Sequence, residues 1–304
     1  MFGFALMASI LVLTTACDKR GGDKPLVGKT SLANKPRALL LLFGERSDPR
    51  MIPLALLTDG KIRPITLDAA GWKEFDKSYF APGTRLSLYQ DGTAITDAVV
   101  RRGMWNGTDA PLYKLPGCQA LRPLAAVTVD SSVVSAVSLE LLATSEALPT
   151  LVPRAAATPA DLDSARALAI RVAQHEGLTS AARSELDEVV QAINTGATPH
   201  PTLVGSFMER GSGLNGKPRH VFMLGDYVDS THMYLQSFVH VPGDSVREFR
   251  RMIDHLDVTG DGVDEIAIEG WHNGGDSYLI FLQYQNGHWR ELARGATSWC
   301  ADRK

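Results

Sequence analysis

The chain has 304 residues, of which 44% are hydrophobic and 21% are charged, and its formal net charge is -3. This composition is ordinary for a soluble globular protein, and the length is sufficient for two modest domains. The small net charge argues against nucleic acid, and against an anionic membrane surface, as a binding partner.

The N-terminal residues predict export. Residues 2–16 form an uncharged apolar run that ends directly before Cys17. The run resembles a bacterial lipoprotein signal, because a small residue before a cysteine suits cleavage and lipidation of that cysteine. Residues 1–17 are therefore predicted to be the signal and 18–35 a flexible tether, with the protein anchored by its lipid on the extracytoplasmic side of the cell envelope. The alternatives are a plain cleaved signal peptide and a membrane anchor.

The other two cysteines are compatible with an exported protein. If Cys17 carries a lipid, Cys118 and Cys300 remain, and an even number of cysteines in an oxidising compartment favours a disulfide. Such a bridge would tie the N-terminal half to the last residues of the chain. The alternative is two buried free thiols.

Residues 36–144 are predicted to form an antiparallel β domain, either a barrel or a sandwich. The apolar run 38–43 indicates a buried strand. The pairs Asp59-Gly60 and Asp91-Gly92 stand between strand-like segments and are typical of hairpin turns. A brief helix is expected over 69–76, and the segment 127–142 suggests one or two further strands.

Residues 145–157 lose the alternating pattern and are predicted to be a linker. Thr158 and Pro159 then provide a capping hydroxyl and a proline at the first helical position. Apolar residues follow at steps of three and four as far as Gly177. A second helix is expected to end near Asn194, so that residues 158–196 form a helical hairpin.

Residues 200–304 return to strand-like segments, with Asn286-Gly287 as the strongest hairpin signal. The segment 221–225 is echoed by 266–270 at a period of about 44 to 45 residues, which is near that of a propeller blade. Because two copies cannot close a propeller, we expect a β sandwich or sheet built from two related hairpins. The predicted fold class is α+β, mainly β, with two antiparallel β domains around the helical hairpin.

An acidic loop precedes the strand-like segment 266–271. Its side-chain oxygens stand at the first, third and fifth places, and Gly262 allows a sharp turn at the sixth. Calcium takes six to eight oxygen ligands, and a loop with this spacing can wrap around one ion. The predicted ligands are Asp257, Thr259, Asp261, the backbone carbonyl of Val263, and Glu265. The alternative is a solvated β-turn rich in aspartate and glycine.

The loop resembles the calcium loops of FG-GAP and VCBS-type repeats in extracellular β-propellers. It is also similar to short acidic elements near the end of many exported bacterial proteins. The resemblance implies a structural calcium ion and an extracytoplasmic location. Thr259 stands where those loops usually carry Asp or Asn, so the neutral ligand is expected to weaken the site.

Two further loops combine aromatic, amide and carboxylate groups and are candidates for contact with a protein or glycan. The residues concerned are Trp105, Asn106 and Asp109 in the first loop and Trp271, His272, Asn273 and Asp276 in the second. The alternative is that both are long glycine-rich turns without a ligand.

Seven of the eight histidines lie beyond residue 199. An acid/base or zinc site would require several of them to share one pocket with a carboxylate. The residues considered for it are His220, His232, His255 and His272, with Asp226 and Asp276.

The sequence therefore predicts a lipid-anchored envelope protein that binds or scaffolds and does not catalyse. The alternative is an exported hydrolase with a His/Asp site in its C-terminal domain, and a third class is a purely structural subunit without a cleft. The chain lacks the Gly-x-Ser-x-Gly and Ser-x-x-Lys orders of common nucleophiles and a phosphate-binding glycine loop, which makes an enzyme less expected.

Overall fold

The computed structural model describes residues 35–65, 67, 69–103, 124–130, 132, 138–149, 154–177, 186–209, 220–242, 248–272 and 277–296. The first part contains β1 (Arg37–Glu45), β2 (Arg50–Thr58), β3 (Lys61–Pro64), α1 (Ala69–Tyr79), β4 (Arg85–Gln90), β5 (Thr93–Gly103), β6 (Ala125–Val129) and β7 (Ser138–Thr144). The second contains α2 (Pro159–His175), β8 (Leu186–Ile193), β9 (Thr202–Glu209), β10 (His220–Val228), β11 (Met233–His240), β12 (Glu248–Leu256), β13 (Glu265–His272), β14 (Ser277–Gln285) and β15 (His288–Ala296). Strands predominate and pair antiparallel, so the fold is α+β and mainly β, as the sequence predicts.

Six of the first seven strands form a closed antiparallel barrel. The order is β1-β7-β4-β5-β6-β2, with β3 added beside β2, and β1 also pairs with β2 to close the ring. Of the two architectures that the sequence allowed, the structure has the barrel. The segment expected to hold one or two further strands supplies β6 and β7.

The apolar run in β1 divides its side chains between two cores. Leu40 and Leu42 point into the barrel, where Phe75 of α1 is also buried. Leu39 and Leu41 point outward into a second cluster shared with the C-terminal part. Because successive strand residues face opposite sides, a continuous apolar run is what a strand buried on both faces requires.

The predicted hairpin turns are present at three places. Asp59, Asp91 and Asn286 have φ angles of 50°, 50° and 52°, and each is followed by a glycine with positive φ. Two successive residues with positive φ are the geometry that Asp-Gly and Asn-Gly pairs favour in tight hairpins.

The first helix of the predicted helical hairpin is confirmed. Helix α2 begins at Pro159, and the Thr158 side chain and Asp161 form a reciprocal capping box at its N-terminus. Residues Ala165, Leu168 and Val172 are buried on the face that contacts β9 and β10. The three- and four-residue spacing of apolar residues therefore identified the packed face correctly.

The prediction of a second helix in this hairpin is wrong, because residues 186–193 form strand β8. This strand pairs with β9 in continuous register, from Leu186 opposite Glu209 to Ile193 opposite Thr202. Val189, Val190 and Ile193 are β-branched and fit a strand at least as well as a helix. Pairing with β9 decided between the two, so the C-terminal β unit begins before residue 200.

The C-terminal part is a sandwich of two four-stranded antiparallel sheets, with orders β11-β10-β9-β8 and β12-β13-β14-β15. Side chains such as Phe222 from the first sheet and Ile268 from the second share one core. The two echoed sequence segments lie on β10 and β13, and each is followed by its hairpin partner. Of the sandwich or sheet that the sequence allowed, the structure has the sandwich, and both echoed segments lie in hairpins.

The barrel, the sandwich and α2 stack in layers. Helix α2 covers the outer face of the first sheet, and the second sheet packs against the barrel through Leu256, Ala267, Leu279 and Phe281. In the part of the chain that the structure describes, no helix has the length and apolar character needed to cross a membrane.

Candidate metal centre

The acidic loop joins β12 to β13 at the junction between barrel and sandwich. Val258 is 3% exposed and belongs to the cluster shared with the barrel. Across the junction, a Cβ built on Gly60 in the β2–β3 turn would lie only 2.8 Å from the carbonyl oxygen of Thr259. Close packing against the barrel therefore holds this loop in place.

The first half of the loop is folded around its own carboxylates. Asp257 accepts hydrogen bonds from the N–H groups of Gly260 (2.6 Å) and Gly262 (2.9 Å), and both glycines have positive φ. Asp261 accepts a hydrogen bond from the N–H of Val263 at 2.9 Å. The glycines thus allow the backbone to wrap so that its donors face the acidic side chains.

Glu265 closes the loop from inside the protein and is only 1% exposed. Its Oε2 accepts hydrogen bonds from the N–H groups of Val258 (3.0 Å) and Thr259 (3.2 Å), and its Oε1 accepts one from the Thr259 hydroxyl (3.0 Å). Burial, reinforced by the charge of Asp261, raises the pKa of Glu265 to about 8. The loop therefore contains a carboxylate whose ionised form is unfavourable without a cation.

The pKa of Asp257 is also raised, first by burial and then by the charges of Asp261 and Asp264. A bound cation would offset the burial cost and the mutual repulsion of these groups. The donors are oxygens, which suits calcium, and Oε1 of Glu265, which accepts one hydrogen bond where Oε2 accepts two, retains a lone pair for an ion. The five predicted ligand residues therefore fit a calcium loop in kind and order.

Asp264 was not among the predicted ligands, and it connects the loop to the linker. Its carboxylate accepts a hydrogen bond from Arg154 at 3.0 Å and lies 2.7 Å from Nδ1 of His255. Arg154 also donates to the carbonyl of Gly262 at 2.8 Å. The Asp264 side chain is 4% exposed, and Arg154 is the cation that compensates its buried charge.

A second group of ligand-type side chains lies beside the loop. Asp91 in the β4–β5 turn and Asp254 and His255 in β12 each place one ligand atom within 4.8 Å of the other two. Among the described residues, no other three His, Cys, Asp or Glu side chains place their ligand atoms this close together. The carboxylates of the acidic loop lie farther apart. Burial raises the pKa of Asp254 to about 6.

A cavity of about 400 Å³ opens at this junction. Its walls come from the barrel turn, the linker, the end of β8 and the acidic loop, and they include Asp91, Arg154, His255, Asp257 and Asp264. The site is therefore assembled from four segments that are distant in sequence.

The histidines considered for a hydrolase site do not meet in one pocket. His220 and His272 lie near Glu248, whereas His255 contacts Asp264. His232 is exposed in the β10–β11 turn. Asp226 is buried between the sheets, where it accepts hydrogen bonds from Thr202 and Trp289, both at 2.7 Å.

The cluster around Glu248 was not predicted. Arg250 donates to Glu248 at 2.9 Å and to the Tyr278 hydroxyl at 3.1 Å, and Nε2 of His240 lies 3.5 Å from Glu248. Although burial opposes the change, the nearby His240 and the hydrogen bond and charge of Arg250 lower the pKa of Glu248 to about 2. The Glu248 carboxylate is therefore ionised and forms an ion pair with Arg250.

The predicted ligand loops are only partly described. The Trp271 ring packs near that of Phe249, with centroids 5.7 Å apart, and Nε2 of His272 lies 4.0 Å from Glu248. The other predicted residues of these loops, Trp105, Asn106, Asp109, Asn273 and Asp276, lie outside the described residues, as do Cys17, Cys118 and Cys300.

Comparison of the chain with family models, with curated proteins and with solved structures gave no match. The likeness of the acidic loop to FG-GAP and VCBS-type repeats therefore stays a prediction.

Sequence reasoning identified the acidic loop but not its neighbours. In the sequence, Asp91 is only a turn residue and Arg154 only part of a linker, because nothing local to either indicates a distant partner. Asp254 and His255 are adjacent in sequence. The available signal was this adjacency just before the acidic loop, which did not reveal Asp91 as the third member.

Proposed function

We propose that this protein is an exported, lipid-anchored component of the cell envelope that binds or scaffolds other molecules and uses a structural calcium ion. The ion lies in the loop from Asp257 to Glu265. Its role is to hold the barrel against the sandwich. The partner is a protein or glycan of the envelope, contacted through the loops at 105–109 and 271–277.

The observation that carries the calcium proposal is the position of the acidic loop. Val258 is buried against the barrel, and Thr259 lies against Gly60 of a barrel turn, while Glu265 begins a central strand of the sandwich. An ion held by this loop therefore acts on the junction as well as on the loop. Since Glu265 is buried and its pKa is raised, the folded protein gains directly from a cation there.

The separation of the four candidate histidines speaks against the predicted hydrolase site. That site needs three or more of the four in one pocket with Asp226 or Asp276. The structure instead divides the candidates among the Glu248 cluster, the Asp264 pair and an exposed turn.

The calcium proposal is tested by the thermal stability of the protein with calcium and with chelator. A ligand that binds only the folded state stabilises it by RT ln(1 + [L]/Kd), which is about 2.7 kcal/mol at a hundredfold excess over Kd. For a chain of this size we expect the melting temperature to rise by roughly 5 °C.

The shift should disappear in Asp261→Ala and persist in the control Asp229→Ala, which removes an exposed carboxylate from the β10–β11 turn. Equal melting temperatures with calcium and with chelator in the wild-type protein would show that the loop is only a turn.

A further inference from the structure

Asp91, Asp254 and His255 have the arrangement of a second cation site. One ligand atom from each lies within 4.8 Å of the other two. Donor atoms that share one ion at about 2.0–2.2 Å are themselves separated by at most about 4.4 Å, so small side-chain movements bring the three into ligating positions. Asp91 comes from the barrel and the other two from the sandwich.

His255 is held in the way that metal-binding histidines are held. Its Nδ1 lies 2.7 Å from Oδ2 of Asp264, and Arg154 binds Oδ1 of the same carboxylate at 3.0 Å. A metal-binding histidine commonly donates its other ring N–H to a carboxylate, which fixes the tautomer and the ring orientation. With the proton on Nδ1, the lone pair of Nε2 is available.

The available nitrogen belongs to a buried ring. The His255 side chain is 7% exposed, and its Nδ1 is engaged with Asp264, which leaves Nε2 as the ring nitrogen that can hold an ion. Packing and this contact fix the ring orientation, as a ligand site requires.

The surroundings leave space for an ion with an open coordination position. Asp91 and His255 line the cavity of about 400 Å³. Gly92 allows the barrel turn to approach closely, because a Cβ there would lie 2.9 Å from Asp264 and 3.0 Å from the His255 ring. Three protein ligands beside a cavity allow water or another small ligand to complete the shell.

We propose that Asp91, Asp254 and His255 bind a divalent transition-metal ion such as Zn²⁺, Co²⁺ or Mn²⁺. An imidazole nitrogen with two carboxylates favours this class, whereas calcium and magnesium prefer oxygen donors alone. The site goes beyond the proposed function and does not depend on calcium binding to the acidic loop. Its ion ties the β4–β5 turn of the barrel to the end of β12.

The test is a titration of the full chain with Co²⁺ while calcium is held in excess and the cysteines are alkylated. Visible absorption of the bound ion reports its coordination, and Zn²⁺ is added afterwards as a competitor. The wild-type protein is expected to bind one Co²⁺ per chain and to release it to Zn²⁺. Asp91→Asn and His255→Gln should each weaken binding at least tenfold.

Asp59→Asn is the matched control, because Asp59 heads a hairpin turn with the same φ of 50° and is also followed by a glycine with positive φ. It should bind Co²⁺ as the wild type does, and so should Asp261→Ala in the acidic loop. Near-ultraviolet circular dichroism confirms that each variant is folded. The proposal is overturned if the wild type fails to bind one equivalent, if folded Asp91→Asn binds unchanged, or if Asp261→Ala abolishes binding.

Discussion

The contact between α2 and the first sheet of the sandwich can be tested with a double-mutant cycle. Leu168 of α2 is 4% exposed, and a Cβ added at Gly225 of β10 would lie 2.1 Å from its Cδ2 atom. Leu168→Ala leaves a cavity and should lower the free energy of unfolding by about 3 kcal/mol. Gly225→Ala forces an overlap and should cost about 1–3 kcal/mol.

The two changes compensate each other when they are combined. Removing the Leu168 side chain opens the space that the new methyl group at position 225 needs. The double variant should therefore be more stable than the sum of the two single effects predicts, by about 1–2 kcal/mol. Urea unfolding followed by tryptophan fluorescence measures all four free energies.

Gly205→Ala provides the control for this cycle. A Cβ there would meet Phe207, Met223 and Ala169. Combining it with Leu168→Ala should therefore give additive effects. Additive effects for the pair Leu168 and Gly225 would refute the packing of α2 that the structure shows.

Two other predictions concern acid stability and membrane anchoring. Burial, then the nearby charges of His240 and Arg250, lower the pKa of His220 from 6.5 to about 4. His220 therefore contributes stability that is fully present above pH 6.5 and is lost as the pH falls from 6.5 through 4. The loss amounts to about 3 kcal/mol at most. Urea titrations should show that His220→Gln does not lose this contribution. In a bacterial host that lipidates exported proteins, the full chain should incorporate labelled palmitate and sediment with membranes, whereas Cys17→Ser should do neither.

The exposed His288 gives a control, since His288→Gln should keep the acid-dependent loss of the wild type. If His220→Gln and the wild type lose stability equally between pH 6.5 and 4, the burial argument for His220 fails. Labelling that is unchanged in Cys17→Ser would show that this cysteine does not carry the lipid.

Local patterns predicted those parts of the fold that local physics determines. The Asp-Gly and Asn-Gly pairs located three hairpins because few other residues tolerate two successive positive φ angles. The capping box at Thr158 located the start of α2 for a similar reason. The helix predicted for residues 186–193 was wrong because their apolar spacing suits both a helix and a strand. Pairing with β9 decides for the strand, and β9 lies beyond a further loop.

The candidate site shows the same division between local and distant information. The ligand order from Asp257 to Glu265 is contained in nine consecutive residues and was visible in the sequence. The approach of Asp91 and Arg154 to His255 and Asp264 depends on how the barrel, linker and sandwich pack together. No local pattern encodes such a meeting, so this part of the site required the structure.

The most direct test of calcium binding by the acidic loop is titration calorimetry, in which calcium is added to the chelator-treated full chain. The wild-type chain should bind one calcium ion, Asp261→Ala should bind it at least tenfold more weakly, and Asp229→Ala should bind it unchanged. Calcium binding that is absent in the wild type, or equally strong in Asp261→Ala, would contradict the calcium proposal.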